Sequence, residues 1–132
     1  MESFITWYTR LNKPSWTPAT STIGTIWTIL YPIILVTHGW VITKAIQKEL
    51  SWLIALPFVL NILVNAAFSP IQFGIRNNWL TLVDALLILI TIIWGMLAIW
   101  PHMKWVALAN IPYLLWVTTA TILQFQIAWM NR

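Results

Sequence analysis

The chain has no cysteine, three acidic residues and two histidines among 132. The missing cysteine excludes disulfides and thiolate metal sites while saying nothing about compartment. His38 and His102 lie far apart in sequence, and with so few carboxylates no metal centre is expected. Charge of either sign is scarce: 8% of residues are charged, against roughly 25% in soluble domains. Apolar residues make up 60%, and mean hydropathy is +0.79. Such a chain cannot cover a soluble surface. At this length it forms one domain, residues 1–132, whose apolar length must face the lipid bilayer or its own helices. The formal net charge of +4 is dispersed rather than clustered, so no nucleic-acid partner is expected.

Gaps between charges locate the spans. Lys13 and Lys44, Glu49 and Arg76, Asp84 and Lys104, and Lys104 and Arg132 each enclose a charge-free stretch. A bilayer core needs about 20 predominantly apolar residues as helix, which places spans over about 23–43, 52–73, 79–100 and 105–130. The runs lack the alternation of barrel strands. The expected fold is therefore an all-α integral membrane protein with a bundle of four transmembrane helices. Residues 1–22 form a pre-helix segment, which has no basic start and no adequate apolar core for a signal peptide, so insertion is expected to rely on the first span. The positive residues divide four against three between the two sides, and orientation stays open. Neither proposed cholesterol pattern occurs.

Of the 11 tryptophans, Trp7, Trp16, Trp52, Trp79, Trp100, Trp105 and Trp129 fall near span ends, where amphipathic rings anchor at the interface. Trp27 and Trp116 lie deeper. Trp27 shares a helical face with Ile23 and Tyr31. Taken alone, these deep rings serve either helix packing, the commoner use, or a ligand wall. In the second span Asn61, Asn65, Phe68 and Gln72 form one stripe, with amides that either join helices or face a cavity. Pro70 kinks or ends that helix near its exit. Asp84, the one acid inside a span, should face inward. It reads as a hydrogen-bonded packing residue, or as a carboxylate for proton coupling. In the last span Pro112 kinks a helix on which Trp116, Ala120, Leu123 and Ile127 share a face. His38 reads as a satisfied core or interface histidine.

The stretches "WYTRLNKPSWTPAT", "IGTIWTILY", "NAAFSPIQFG" followed by Asp84, and "IPYLLWVTTATILQFQIAWMN" occur in the order found in the TspO/translocator protein family, the tryptophan-rich sensory proteins, which the chain resembles over nearly its whole length. The most specific pieces are Trp7-Tyr8 with Lys13, Pro14, Trp16 and Pro18, then Trp27 and Tyr31, then Pro112-Tyr113 with Trp116. Ala19 replaces the second proline of the family's usual pair, Phe68 stands where tryptophan is common, and Gln124 where asparagine is frequent. The resemblance corresponds to the last four helices of a five-helix fold, with the helix before Trp7 lacking and an open flank expected between the first two spans.

The resemblance implies a bundle, usually a homodimer, around a pocket for porphyrins such as protoporphyrin IX or heme-like tetrapyrroles and for other hydrophobic small molecules, with no required cofactor. Carried over by motif, the pocket comprises Trp7, Tyr8, Ile23, Trp27, Tyr31, Asn65, Phe68, Asp84, Ala85, Trp116 and Ala120, with Pro14, Trp16 and Pro18 in a lid. These residues largely coincide with the inward stripes, which favours the ligand-wall reading of Trp27 and Trp116. The expected function is a receptor, sensor or carrier rather than an enzyme, with porphyrin photodegradation as a further family activity. The competing classes are a dimeric four-helix proton-coupled transporter using Asp84 and a structural subunit without ligand. A bacterial cytoplasmic membrane is the expected location.

Overall fold

The computed structural model describes residues 4–132, apart from the side chain of Ile5. Residues 1–3 of the expected pre-helix segment lie outside the described residues. The helices are α1 (Phe4–Arg10), α2 (Thr20–Ile46), α3 (Trp52–Ser69) continued by a π-helical turn (Pro70–Ile75), α4 (Asn78–Ile99), α5 (Lys104–Ala109) and α6 (Ile111–Met130). Among the described residues four helical segments are long and apolar enough to cross a membrane: Thr20–Ile46, Trp52–Ile75, Asn78–Ile99 and Ile111–Met130.

The differences from the expected bounds have local causes. The first span begins at Thr20 rather than 23 and runs to Ile46 rather than 43, because Lys44 can sit inside a last turn whose carbonyls attract a cation. The expected pre-helix segment 1–22 holds a helix of its own, α1, and its last residues already belong to α2. Pro70 cannot donate to the carbonyl four residues back, and the chain proceeds by wider turns closed by the Arg76 N–H on the Ile71 carbonyl at 2.8 Å. The third span occupies Asn78–Ile99 rather than 79–100. The expected 105–130 span is two helices broken at Asn110. Pro112, in the first turn of α6, cannot continue α5, and the Asn110 side chain donates to the Val106 carbonyl at 2.8 Å. Ser51 and Asn77 cap α3 and α4 through their side-chain oxygens.

Threonines survive in these lipid-facing helices because each hydroxyl donates back into its own helix. Thr28 bonds the Gly24 carbonyl at 2.9 Å, Thr43 that of Gly39 at 2.7 Å, Thr118 that of Leu114 at 2.7 Å and Thr119 that of Leu115 at 2.9 Å. Helix α4 lies at the centre, packed most extensively on α3 and α6. One apolar core gathers Val41, Ala55, Phe58, Ile99 and Val106 towards the Gln47 and His102 end. There Gly95 admits the Phe58 ring, which lies 3.3 Å from the place a Cβ would occupy. A second core, in mid-bundle, joins Leu30, Ile34, Ile88, Ile92, Tyr113 and Val117. Beyond it, towards α1, the helices diverge around a cavity.

This order places the α2–α3 and α4–α5 turns on one side and the α3–α4 turn with the C-terminus on the other. Because the chain has no native cysteine, single cysteines at Gln47 and His102 should label from one side of sealed vesicles with an impermeant maleimide, and cysteines at Asn77 and Arg132 from the opposite side. Labelling of Arg132→Cys and Gln47→Cys from the same side would break the four-span order.

Candidate functional site

The cavity has a volume of about 310 Å³, at the lower end of the roughly 300–1,000 Å³ of small-molecule sites. Nine of the eleven expected pocket residues line it: Tyr8, Ile23, Trp27, Tyr31, Asn65, Phe68, Ala85, Trp116 and Ala120. Helix spacing explains the convergence. Ile23, Trp27 and Tyr31 follow i, i+4, i+8 along α2; Asn65 and Phe68 are three apart on α3; Trp116 and Ala120 are four apart on α6. The Trp27 and Tyr31 rings stack at 5.3 Å and 29°, and Trp27 meets Tyr113 edge-on at 6.3 Å. Tyr31 lines the cavity yet is 50% exposed, so the wall is open beside α2.

Two expected residues lie outside the lining. Trp7 is turned away because the face of α1 towards the cavity is Phe4 and Tyr8, four residues apart; Trp7 packs against Phe4 at 5.8 Å. Asp84 precedes Ala85, and one residue of helix turns it by about 100°. It is buried, and its Oδ2 has no hydrogen-bond partner among the described residues. The hydrogen-bonded packing role expected for Asp84 therefore has no bond at that oxygen.

Pro14, Trp16 and Pro18 do not line the cavity; they form the strap joining α1 to α2. Trp16 is 44% exposed and donates from Nε1 to Gln126 Oε1 at 3.1 Å on α6. The Asn12 backbone N–H donates to Asn131 Oδ1 at 3.0 Å, while Asn131 Nδ2 donates to the Asn12 carbonyl at 2.8 Å. This clasp ties the strap to the end of α6. The element at the cavity rim is α1, whose Phe4 ring meets Phe73 of the π-helical turn edge-on at 4.3 Å and Tyr8 in a stack at 5.5 Å. Lys13 Nζ donates to the Tyr8 carbonyl at 2.7 Å and sits 4.6 Å above its ring. Burial pushes the Tyr8 phenol above its ordinary pKa, so it faces the cavity as a neutral hydroxyl at physiological pH.

Reading by motif passed over Phe4 and Phe73. Their signal was present: Phe4 stands four residues before Tyr8 on one helical face, and Phe73 follows Asn65 and Ser69, which also line the cavity, at i+8 and i+4. Gln72, from the α3 amide stripe, and Gln124 also line the cavity. Gln124 is held by its Nε2 donating to the Asn78 carbonyl at 2.9 Å. Asn61, on the same stripe, is instead buried at 1% exposure behind the wall. There it accepts from Tyr113 Oη at 3.0 Å and pairs with His38 Nε2 at 3.0 Å, which makes His38 the satisfied core histidine expected. Trp116 Nε1 is buried without a hydrogen-bond partner among the described residues. The site thus combines aromatic faces with a few fixed polar groups, a composition suited to a flat, largely apolar ligand.

Comparison with known proteins agrees with this architecture. The chain is 40% identical over 87 residues to the tryptophan-rich protein TspO of Bacillus cereus, a match covering 65% of this chain and 55% of that protein, so it spans about half of that relative. It is 33% identical over 125 residues to the uncharacterized membrane protein YtaB of Bacillus subtilis, covering 95% of this chain and 80% of the relative. With the tryptophan-rich protein TspO of Chlorobaculum tepidum it shares 32% over 125 residues, covering 95% and 79%. The sequence profile of the TspO/MBR family matches residues 1–130. With four helices able to span a bilayer and relatives of this kind in bacteria, the chain is a multi-pass bacterial membrane protein that belongs to the TspO/MBR family.

Proposed function

We propose that the chain binds porphyrins, and other flat hydrophobic molecules, in the cavity between α2, α3, α4 and α6, acting as a membrane receptor, sensor or carrier. The observation that carries this reading is the convergence of the stacked Trp27–Tyr31 pair, Phe68 and Trp116 on one cavity. A tetrapyrrole offers a broad π-face, which indole and phenol rings hold by offset stacking. Asn65 and the Trp116 N–H supply the small number of polar contacts that orient such a ligand. The open wall beside Tyr31 suits a molecule larger than the enclosed volume, whose edge reaches the lipid.

The test is a titration of the detergent-purified chain with protoporphyrin IX. Saturable quenching of tryptophan fluorescence, at a stoichiometry of no more than one porphyrin per chain, is the expected result. Quenching that rises linearly with porphyrin and matches that of empty micelles containing free tryptophan analogue would reject the reading.

A further inference from the structure

We propose that Tyr113 is a positioning residue, which, backed by Asn61 and His38, holds the Asn65 amide so that its carbonyl oxygen rather than its NH₂ is offered to the cavity. This deepens the porphyrin reading and rests on it for its effect on binding. The orientation follows from counting hydrogens along the chain of contacts. Asn61 Nδ2 faces the Ile88 carbonyl at 3.3 Å and Thr91 Oγ1 at 2.9 Å. The carbonyl can only accept. The single Thr91 hydroxyl hydrogen is already directed at its own helix, with the Leu87 carbonyl at 2.8 Å and that of Ile88 at 2.9 Å. Turning the Asn61 amide over would set its oxygen against the Ile88 carbonyl, so the NH₂ must lie on that side.

Asn61 Oδ1 therefore faces His38 Nε2 and Tyr113 Oη, each at 3.0 Å, and both must donate to it. Neutral His38 then carries its hydrogen on Nε2, and its Nδ1, 3.1 Å from Thr37 Oγ1, accepts the one Thr37 hydroxyl hydrogen, which is thereby drawn from the Ile33 carbonyl 2.8 Å away. Having given its one hydrogen to Asn61, Tyr113 Oη can only accept from Asn65, whose Nδ2 lies 2.7 Å away. One amide end is thereby committed, and Asn65 Oδ1 has no protein partner among the described residues. His38, Asn61 and Tyr113 are 3%, 1% and 0% exposed, so no water competes for these bonds and the order is rigid. Buried groups that the cavity does not contain thus decide that its polar wall accepts a hydrogen bond.

The experiment has a ligand-free arm and a binding arm. In the wild-type chain in nanodiscs, 15N NMR should find His38 protonated at Nε2, and the Asn65 side-chain amide, assigned by its loss in Asn65→Ala, should carry one exchange-protected hydrogen. Tyr113→Phe should abolish that protection. A His38 hydrogen on Nδ1 would invert the chain and overturn the proposal without any variant needing to fold. In the binding arm, Tyr113→Phe should weaken protoporphyrin IX binding roughly 3- to 10-fold in the wild-type background and less than about 2-fold in Asn65→Ala, since a residue acting through Asn65 has nothing left to position. Equal losses in both backgrounds would make Tyr113 a packing residue only and overturn the inference. Absence of porphyrin binding by the wild type would reject the porphyrin reading, while the NMR arm still decides the positioning.

Discussion

Trp27→Ala and Trp116→Ala are each expected to weaken protoporphyrin IX binding by roughly 1–3 kcal/mol, about 5- to 150-fold, as the loss of a central aromatic contact does. Trp27 presents a face already stacked on Tyr31, and its removal leaves both the ligand and Tyr31 without that partner. Trp116 carries in addition a buried N–H with no partner among the described residues, which makes its loss the larger of the two where the ligand accepts from it. Trp129 is the control. It is 52% exposed, stacked on Phe125 at 6.2 Å and covered by the Arg132 guanidinium at 3.8 Å, an interfacial anchor by every contact it makes. Trp129→Ala should alter affinity less than about 2-fold, within the small effect expected of a residue outside the site. Affinity is best followed by the porphyrin absorption band, which does not depend on how many tryptophans remain. Equal losses at all three positions would indicate general destabilisation, and unchanged affinity at the deep pair would sink the cavity as the porphyrin site.

Replacing Pro14 and Pro18 together by glycine should speed both association and dissociation of porphyrin, on the order of tenfold, with a smaller change at equilibrium. Each proline holds one φ angle near −65° and restricts the residue before it, and each exchange for glycine returns about 0.4–1 kcal/mol of conformational entropy to a loosened state. The strap has its own fixed turn, with the Thr17 N–H and hydroxyl both donating to the Pro14 carbonyl, at 3.2 and 2.7 Å. Its far end is clasped by Asn131. Loosening it frees α1, and with α1 the Phe4 and Tyr8 rings that edge the cavity. Asn131→Ala, which removes the clasp without touching the prolines, should produce the same acceleration. Stopped-flow mixing, with assembly verified by size-exclusion and circular dichroism, gives both rates. Unchanged rates in both variants would reduce the segment to an interfacial anchor.

Much of the fold was legible because a membrane makes few solutions available. Four charge-free stretches of adequate length, each flanked by charge or tryptophan, admit little besides four helices, since every backbone group in lipid must be satisfied within its own segment. The deep aromatic residues were legible for a related reason: helical spacing puts Ile23, Trp27 and Tyr31, or Trp116 and Ala120, on one face whatever the neighbours are. What spacing leaves undetermined is rotation. Trp7 and Asp84 sit one residue from cavity-lining neighbours, and about 100° of helix decides which of each pair looks inward. That choice belongs to packing.

Composition, span number and the inward stripes of α2, α3 and α6 were thus set by the sequence acting locally, through hydrophobicity and helical period. The tertiary structure alone decided the rest. It put Phe4 and Tyr8 of α1 at the cavity rim, where the Phe4 ring meets Phe73 of the π-helical turn edge-on. It also drew His38, Asn61, Thr91, Tyr113 and Asn65 from α2, α3, α4 and α6 into one hydrogen-bonded chain. No local rule anticipates such a chain, because the direction of each hydrogen bond depends on which donors three other helices have already committed.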